Sequence, residues 1–210
     1  MKSRASLAAF TPIAAAKPRP QMRRKENVMK IRTWLKAFTI LVMIAAAQSA
    51  AGAEAKSAGT SDLAARFAYL STHGNSTCSD SFMKSIAMMP PTARLQGSCC
   101  SPMVLQRYIQ QVRGLRAYVS FREIPPDPYD IQAGLARKMM AAFSVKLRGA
   151  QEAAYQYAMR HSDEKGPCCC KCWRWQAYGG LAKLLIRDHG FTGPQVTEVW
   201  NLSDGCGGNG

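Results

Sequence analysis

Between residues 62 and 200 apolar positions recur roughly every three or four residues, the period of a helix with one buried face. In "SDLAARFAYLSTHG", Leu63, Phe67 and Leu70 follow a capping Ser61, and Gly74 ends the pattern. In "SPMVLQRYIQQVRGLRAYV", Ser101 caps, Pro102 occupies the first turn, and Leu105, Tyr108, Ile109, Val112 and Leu115 form the face. "DPYDIQAGLARKMMAAFSVKLRG" repeats the logic with Ile131, Leu135, Met139, Ala142 and Phe143. Three further helices are predicted at "AQEAAYQYAMRH", at "YGGLAKLLIRDHG" up to Gly190, and at "TGPQVTEVW", with Thr192 as cap and Pro194 in the first turn. Only "AYVSF", residues 117–121, reads as a strand. The fold class is therefore mainly α: a compact, cysteine-rich domain of about six helices.

The helical domain is predicted over residues 62–210, behind a flexible lead-in at 54–61. From Met29 a basic start (Lys30, Arg32, Lys36) runs into an apolar stretch, Ala37 to Ala47, and then a small-residue site at Ala51-Gly52-Ala53. That is the pattern of a secretory signal peptide over 29–53, with cleavage before Glu54 and no membrane span afterwards. Residues 1–28 lack apolar periodicity and read as an upstream extension or a misassigned start at Met1. The expected location is periplasmic or secreted.

Charge changes the picture less than its total suggests. The chain carries +15, but residues 1–53 hold ten of its 28 Lys/Arg and one of its 13 acids. The remaining arginines are scattered, and nucleic acid is not an expected partner. No H-E-x-x-H, G-x-S-x-G or P-loop is present, and Asp127 and Asp130 in "PPDPYD" read as turn and capping residues, so catalysis has little support.

The chemistry lies in the cysteines. All eight (Cys78, Cys99, Cys100, Cys168, Cys169, Cys170, Cys172 and Cys206) follow the expected cleavage site, in a compartment where disulfides persist. Bridges such as Cys78 to Cys99 or Cys100, and Cys206 to the 168–172 cluster, are one reading. Clustering argues against it as the whole account. Adjacent residues have Cα atoms about 3.8 Å apart, below the disulfide window of about 4.4–6.8 Å. Thiolates suit Cu(I) and zinc. If the segment were helical, Cys168 and Cys172 would share a face, as would Cys169 and Cys172. The expected metal ligands are Cys168, Cys169, Cys170, Cys172 and Cys206. Cys78, Cys99, Cys100 and His161 are additional ligands or disulfide partners. Cys206 sits on a glycine-rich tail and is expected to be a supplementary donor. The C-x-x-C at Cys169–Cys172 is followed by Trp173, which excludes c-type haem attachment.

"PCCCKC" fits P-C-x-C-x-C and resembles the signature of the PCYCGC-motif family of small exported bacterial proteins. The matching positions are Pro167, Cys168, Cys170 and Cys172, with Cys169 and Lys171 in place of the family's tyrosine and glycine. "AAYQYAMRHSDEKG" stands where the family has an aromatic- and alanine-rich helix. The Gly-His and Ser-Cys-Phe continuation is absent from "WRWQAYGGLAKLL". The resemblance implies an exported, cysteine-dependent metal binder rather than an enzyme. The expected function is Cu(I) sequestration or delivery, with zinc as the other metal and a metal donor or acceptor protein as partner. A disulfide-stabilised structural protein and a thiol oxidoreductase are the competing classes.

His161, His189 and His73 also have ordinary readings as helix-end residues. Met83, Met88, Met89, Met103, Met139, Met140 and Met159 read mainly as flexible core filler, and Trp173 and Trp175 as apolar cover for the thiols.

Overall fold

The structure is a computed structural model that describes residues 59–207. The extension, signal peptide and cleavage site expected over residues 1–54 lie outside the described residues. Within them the chain is mainly α, with seven helices and one two-stranded sheet. In order these are α1 (59–72), α2 (Asp80–Ile86), β1 (Arg94–Gln96), α3 (Leu105–Leu115), β2 (Asp130–Gln132), α4 (Ala133–Ala142), α5 (Ala150–His161), α6 (Trp173–His189) and α7 (Gly193–Ser203). No helix among the described residues is long and apolar enough to cross a membrane.

Local signals explain most of these elements. The span of α5 is the one its periodicity predicts. Thr192 and Gln195 form a reciprocal capping box on α7, with Pro194 in its first turn. Ser79 caps α2, a short helix with no counterpart in the sequence reading, by accepting from the Phe82 N–H at 3.2 Å. Arg137 closes the other end of α2, donating to Ile86 O at 2.9 Å and Met89 O at 2.7 Å.

Three expectations are corrected. Residues 117–121 are not a strand: Arg116–Tyr118 form a 3₁₀ turn continuing α3. The strands instead pair Arg94 with Gln132, Leu95 with Ile131 and Gln96 with Asp130, antiparallel. α3 starts at Leu105 behind Val104, not at Ser101, which lies in the loop that donates its N–H to Cys206 O at 2.8 Å. α1 already runs at residue 59, so Ser61 lies within it and not at its cap.

The core is built by helix pairs. α4 packs on α6, α5 on α7, and α3 on α7. Met139, Trp173, Tyr178, Leu181, Leu185 and Trp200 are all essentially buried there. The Gly179-Gly180 step in the middle of α6 reflects close approach. A Cβ on Gly180 would overlap the Met139 carbonyl and the Phe143 amide of the α4 end, so only glycine lets the two helices meet. A smaller cluster of Leu70, Tyr108, Ile109 and Tyr129 seats α1 on α3.

Candidate metal centre

The cysteines come from four segments, none of them helical. Cys78 precedes the Ser79 cap of α2. Cys99 and Cys100 lie in the loop after β1, Cys168–Cys172 in the α5–α6 connection, and Cys206 beyond α7. Each segment is anchored by its own backbone and side-chain bonds. Gly97 turns the chain out of β1 at φ 75°, and its N–H donates to Tyr129 O at 2.8 Å. In the α5–α6 connection the Ser162 hydroxyl bridges Gly166 N and O at 2.9 and 3.1 Å.

The tail is tied down rather than free. Cys206 O accepts from Ser98 Oγ at 2.6 Å and from Ser101 N at 2.8 Å. Asp204 accepts from Arg107 at 2.9 Å and from the Cys206 N–H at 3.1 Å, while Gln111 Nε2 donates to Asp204 O at 2.6 Å. Cys206 is 2% exposed as a result. The flexible tail expected around Cys206 is instead fixed, and its sulfur is buried and positioned.

All eight sulfurs meet in one nest with two depths. In the shallow part, Cys78 Sγ lies 2.7 Å from Cys100 Sγ and 3.3 Å from Cys170 Sγ. Cys100 is 3.4 Å from Cys170 and 3.9 Å from Cys169. In the deep part, Cys168, Cys172 and Cys206 surround Cys99, whose sulfur lies 3.9 Å from that of Cys206. Cys168, Cys172 and Cys206 are buried, whereas Cys100 and Cys169 are exposed. The Cys99–Cys100 contact of 3.6 Å joins the two parts. Adjacent cysteines that cannot pair with each other serve this arrangement well. Cys99 is half-buried and Cys100 exposed, with their sulfurs still in contact, so this pair spans the two depths. Cys168 is likewise buried and Cys169 exposed. The helical face expected for Cys168 and Cys172 is absent: residues 167–172 are bends, and Cys172 is the N-cap of α6.

No sulfur pair among the described residues is at disulfide bonding distance. Two sulfurs sharing a tetrahedral or trigonal ion with metal–sulfur bonds of about 2.3 Å lie about 3.8–4.0 Å apart. The contacts of 3.3–3.9 Å are near that spacing. Four groups have ligand atoms within 4.8 Å of one another: Cys100/Cys169/Cys170/Cys206, Cys78/Cys99/Cys172, Cys168/Cys170/Cys172, and Cys168/Asp204/Cys206. The cysteine cluster could hold a metal ion.

The thiols share their protons unevenly. Hydrogen bonds with Cys168, Cys172 and Cys206 hold the Cys99 thiol below its ordinary range despite burial, and the Arg174 charge adds to this, whereas Cys78, Cys100, Cys168, Cys169 and Cys206 are raised. Burial raises Cys170, but donation from Cys78, Cys100 and Cys172 outweighs it and leaves that thiol lowered. The donors move the other way. Cys172 is pushed up to about 11: Cys168's hydrogen bond lowers it, but donation to Cys99, burial and the Cys99 charge prevail. The positive end of α6 starts at these thiols.

Arg174, the first polar side chain of α6, is fully buried beside the nest. Its guanidinium donates to Pro128 O at 2.6 Å and Gly97 O at 3.1 Å, and it stacks on Trp173 at 4.6 Å. Those direct partners are neutral, and Nε has none among the described residues. A buried cation needs opposite charge nearby. Cys99, the lowered thiol, and the Asp127 carboxyl both interact with that charge. Nothing local in the sequence marks Arg174 as buried.

Of the predicted site residues, Cys168, Cys169, Cys170, Cys172 and Cys206 all lie in the nest, joined by Cys78, Cys99 and Cys100. His161 turns back on its own helix, with Nδ1 2.8 Å from Tyr157 O and its ring stacked on Tyr157 at 3.9 Å. Asp204, unforeseen as a neighbour of the thiols, is the carboxylate that ties the tail. The fold and its centre thus define a mainly α-helical, cysteine-rich domain built around one eight-thiol cluster. Compared with known proteins, the chain matches no family model, no curated protein and no solved structure.

Proposed function

We propose that this is an exported protein that binds thiophilic metal, specifically Cu(I), for sequestration or delivery. One observation carries the reading: eight thiols from four chain segments meet in a nest containing no pair at disulfide distance, beside a buried cation. A structural staple would spread its sulfurs in bonded pairs, since bridges closing long separate loops constrain the chain most. Soft, crowded sulfur donors suit Cu(I), which needs only two or three of them, better than Zn(II), which needs four in a tetrahedron. The Pro167, Cys168, Cys170 and Cys172 match to the PCYCGC pattern, and the signal-like stretch from Met29 to Ala53, point the same way.

The test is competition between the protein and a calibrated Cu(I) chelator under anaerobic reducing conditions, repeated with Zn(II). Cu(I) should win by several orders of magnitude. Comparable affinities would refute the copper assignment. The disulfide reading keeps one contact in its favour, the 2.7 Å approach of Cys78 and Cys100. A free-thiol count on protein isolated without reductant decides between them: eight oxidised cysteines and no bound metal would make the nest a set of bridges.

A further inference from the structure

We propose that the centre is a polynuclear Cu(I)–thiolate site in two layers. The deep sulfurs of Cys99, Cys168, Cys172 and Cys206 retain copper, and the shallow sulfurs of Cys78, Cys100, Cys169 and Cys170 exchange it with soft-donor acceptors. This rests on the copper reading and adds to it the number of ions and a division of labour.

Nuclearity follows from overlap. Cys170 belongs both to the group with Cys100, Cys169 and Cys206 and to the group with Cys168 and Cys172. Cys172 belongs to that second group and to the one with Cys78 and Cys99. A sulfur standing within ligand distance of two sets of partners is placed to bridge two ions, as thiolate lone pairs permit. With three sulfurs per Cu(I), eight thiols complete two ions unshared and about five if every sulfur bridges two, so any count above two requires sharing. A mononuclear site would leave four or more converging thiols without a role. A polynuclear thiolate cluster with more sulfurs than Cu(I) ions is anionic, and the buried guanidinium of Arg174, whose direct partners are all neutral, supplies the countercharge.

The layers follow from depth. Cys168, Cys172 and Cys206 are 1%, 5% and 2% exposed, so an ion held among them is shielded from a competing ligand, while Cys206 and Cys172 also reach outward to the groups with Cys100 and Cys169 and with Cys78. Cys100 and Cys169 are exposed, on the side an acceptor can approach. Transfer is then ligand exchange. An acceptor thiolate forms a copper–sulfur bond from the solvent side, a shallow cysteine sulfur leaves and takes a proton from water, and copper remains Cu(I) throughout. Loading is the reverse, each entering sulfur releasing its proton to solvent.

The experiment is anaerobic Cu(I) titration of the reduced mature chain, with X-ray absorption at saturation and timed removal of copper by an excess chelator. The expected results are about three to five Cu(I) per chain, a short copper–copper scattering path, and biphasic removal. The variant Cys78→Ser/Cys100→Ser/Cys169→Ser should lose the fast-exchanging fraction and keep the slow one. Cys168→Ser/Cys206→Ser should lose the slow fraction. Saturation at one Cu(I) with no copper–copper path would overturn the inference while leaving the copper reading standing. Folded, reduced protein that binds no Cu(I) would overturn both. Loss of the slow fraction in the shallow variant, or its retention in the deep one, would overturn the layers. Should the deep variant not fold, wild-type removal decides: a single phase refutes the two depths.

Discussion

The helical core and the cysteine-bearing end of this molecule are held together by different forces. Where α4 meets α6 and α5 meets α7, the contacts are apolar. Trp200, Leu181, Leu185 and Met139 are buried, each such side chain contributing about 1.5–3 kcal/mol. At the other end, three loops and a tail are placed by single hydrogen bonds from Ser98, Ser101, Gln111, Arg107 and Arg174, each worth about 0.5–1.5 kcal/mol, more where charged. The two regions meet: Cys168, Cys172 and Cys206 are buried in the same cluster as Trp173, Leu181 and Trp200, so the packed core fixes the inner end of the nest while hydrogen bonds fix the loops that carry the rest.

The comparison is most severely tested at Gly180. Gly180→Val places side-chain atoms against the Met139 carbonyl in the tightest part of the core. It should cost upwards of about 3 kcal/mol or abolish cooperative unfolding in urea. Near-normal stability would mean that the α4–α6 contact is not what holds the chain.

Arg174→Met should have the next largest effect. It strands Pro128 O and Gly97 O, at a cost of about 2–4 kcal/mol. Amide exchange should rise around residues 97–104 and 204–207 while the centres of α6 and α7 stay protected. Uniform loss of protection would show that the two regions are one cooperative unit.

Replacing Cys169 and Cys170 by serine removes two shallow sulfurs whose side chains touch mainly other thiols. Stability should change by only about 0.5 kcal/mol in the reduced, metal-free chain, since the helical faces do not depend on them. A large drop in thermal midpoint would make the thiols part of the scaffold.

The smallest expected effect is a dependence on pH at Asp127, which accepts from Tyr108 OH and the Tyr129 N–H, both at 2.9 Å. Burial raises its carboxyl above the ordinary value near 3.8, more than those two donors lower it. A carboxyl raised in the folded state binds its proton more tightly there than in the unfolded chain. Its contribution is therefore fully present below about pH 3.8 and is lost as pH rises through the folded value. Asp127→Asn should flatten that part of the stability profile in acid denaturation series. An unchanged slope would assign it to other groups.

How far each region could be read from residue order alone differs for the same reason. The extent of α5, the cap and first turn of α7, and the end of α6 at His189 are written in spacings of three and four residues and in capping side chains, all within one or two turns. The mainly α class follows from those. Local order also marked the cysteines as too crowded for simple bridges and picked out Cys168, Cys169, Cys170, Cys172 and Cys206. It misplaced the start of α3 and assigned a strand at 117–121, because both depend on partners distant in sequence. Ser101 is held by Cys206, and the strands that do form join residues 94–96 to 130–132.

Sequence by itself determined that this chain would be helical and rich in adjacent thiols that could pair with each other only under strain. Only tertiary structure decided which sulfurs lie deep and which shallow, that Cys206 is fixed beside Cys99 across 107 residues, and that Arg174 is buried against them. Helix periods and caps are short-range and survive in isolated segments. The meeting of four loops at one point exists only after α4, α5, α6 and α7 have packed and brought their ends together.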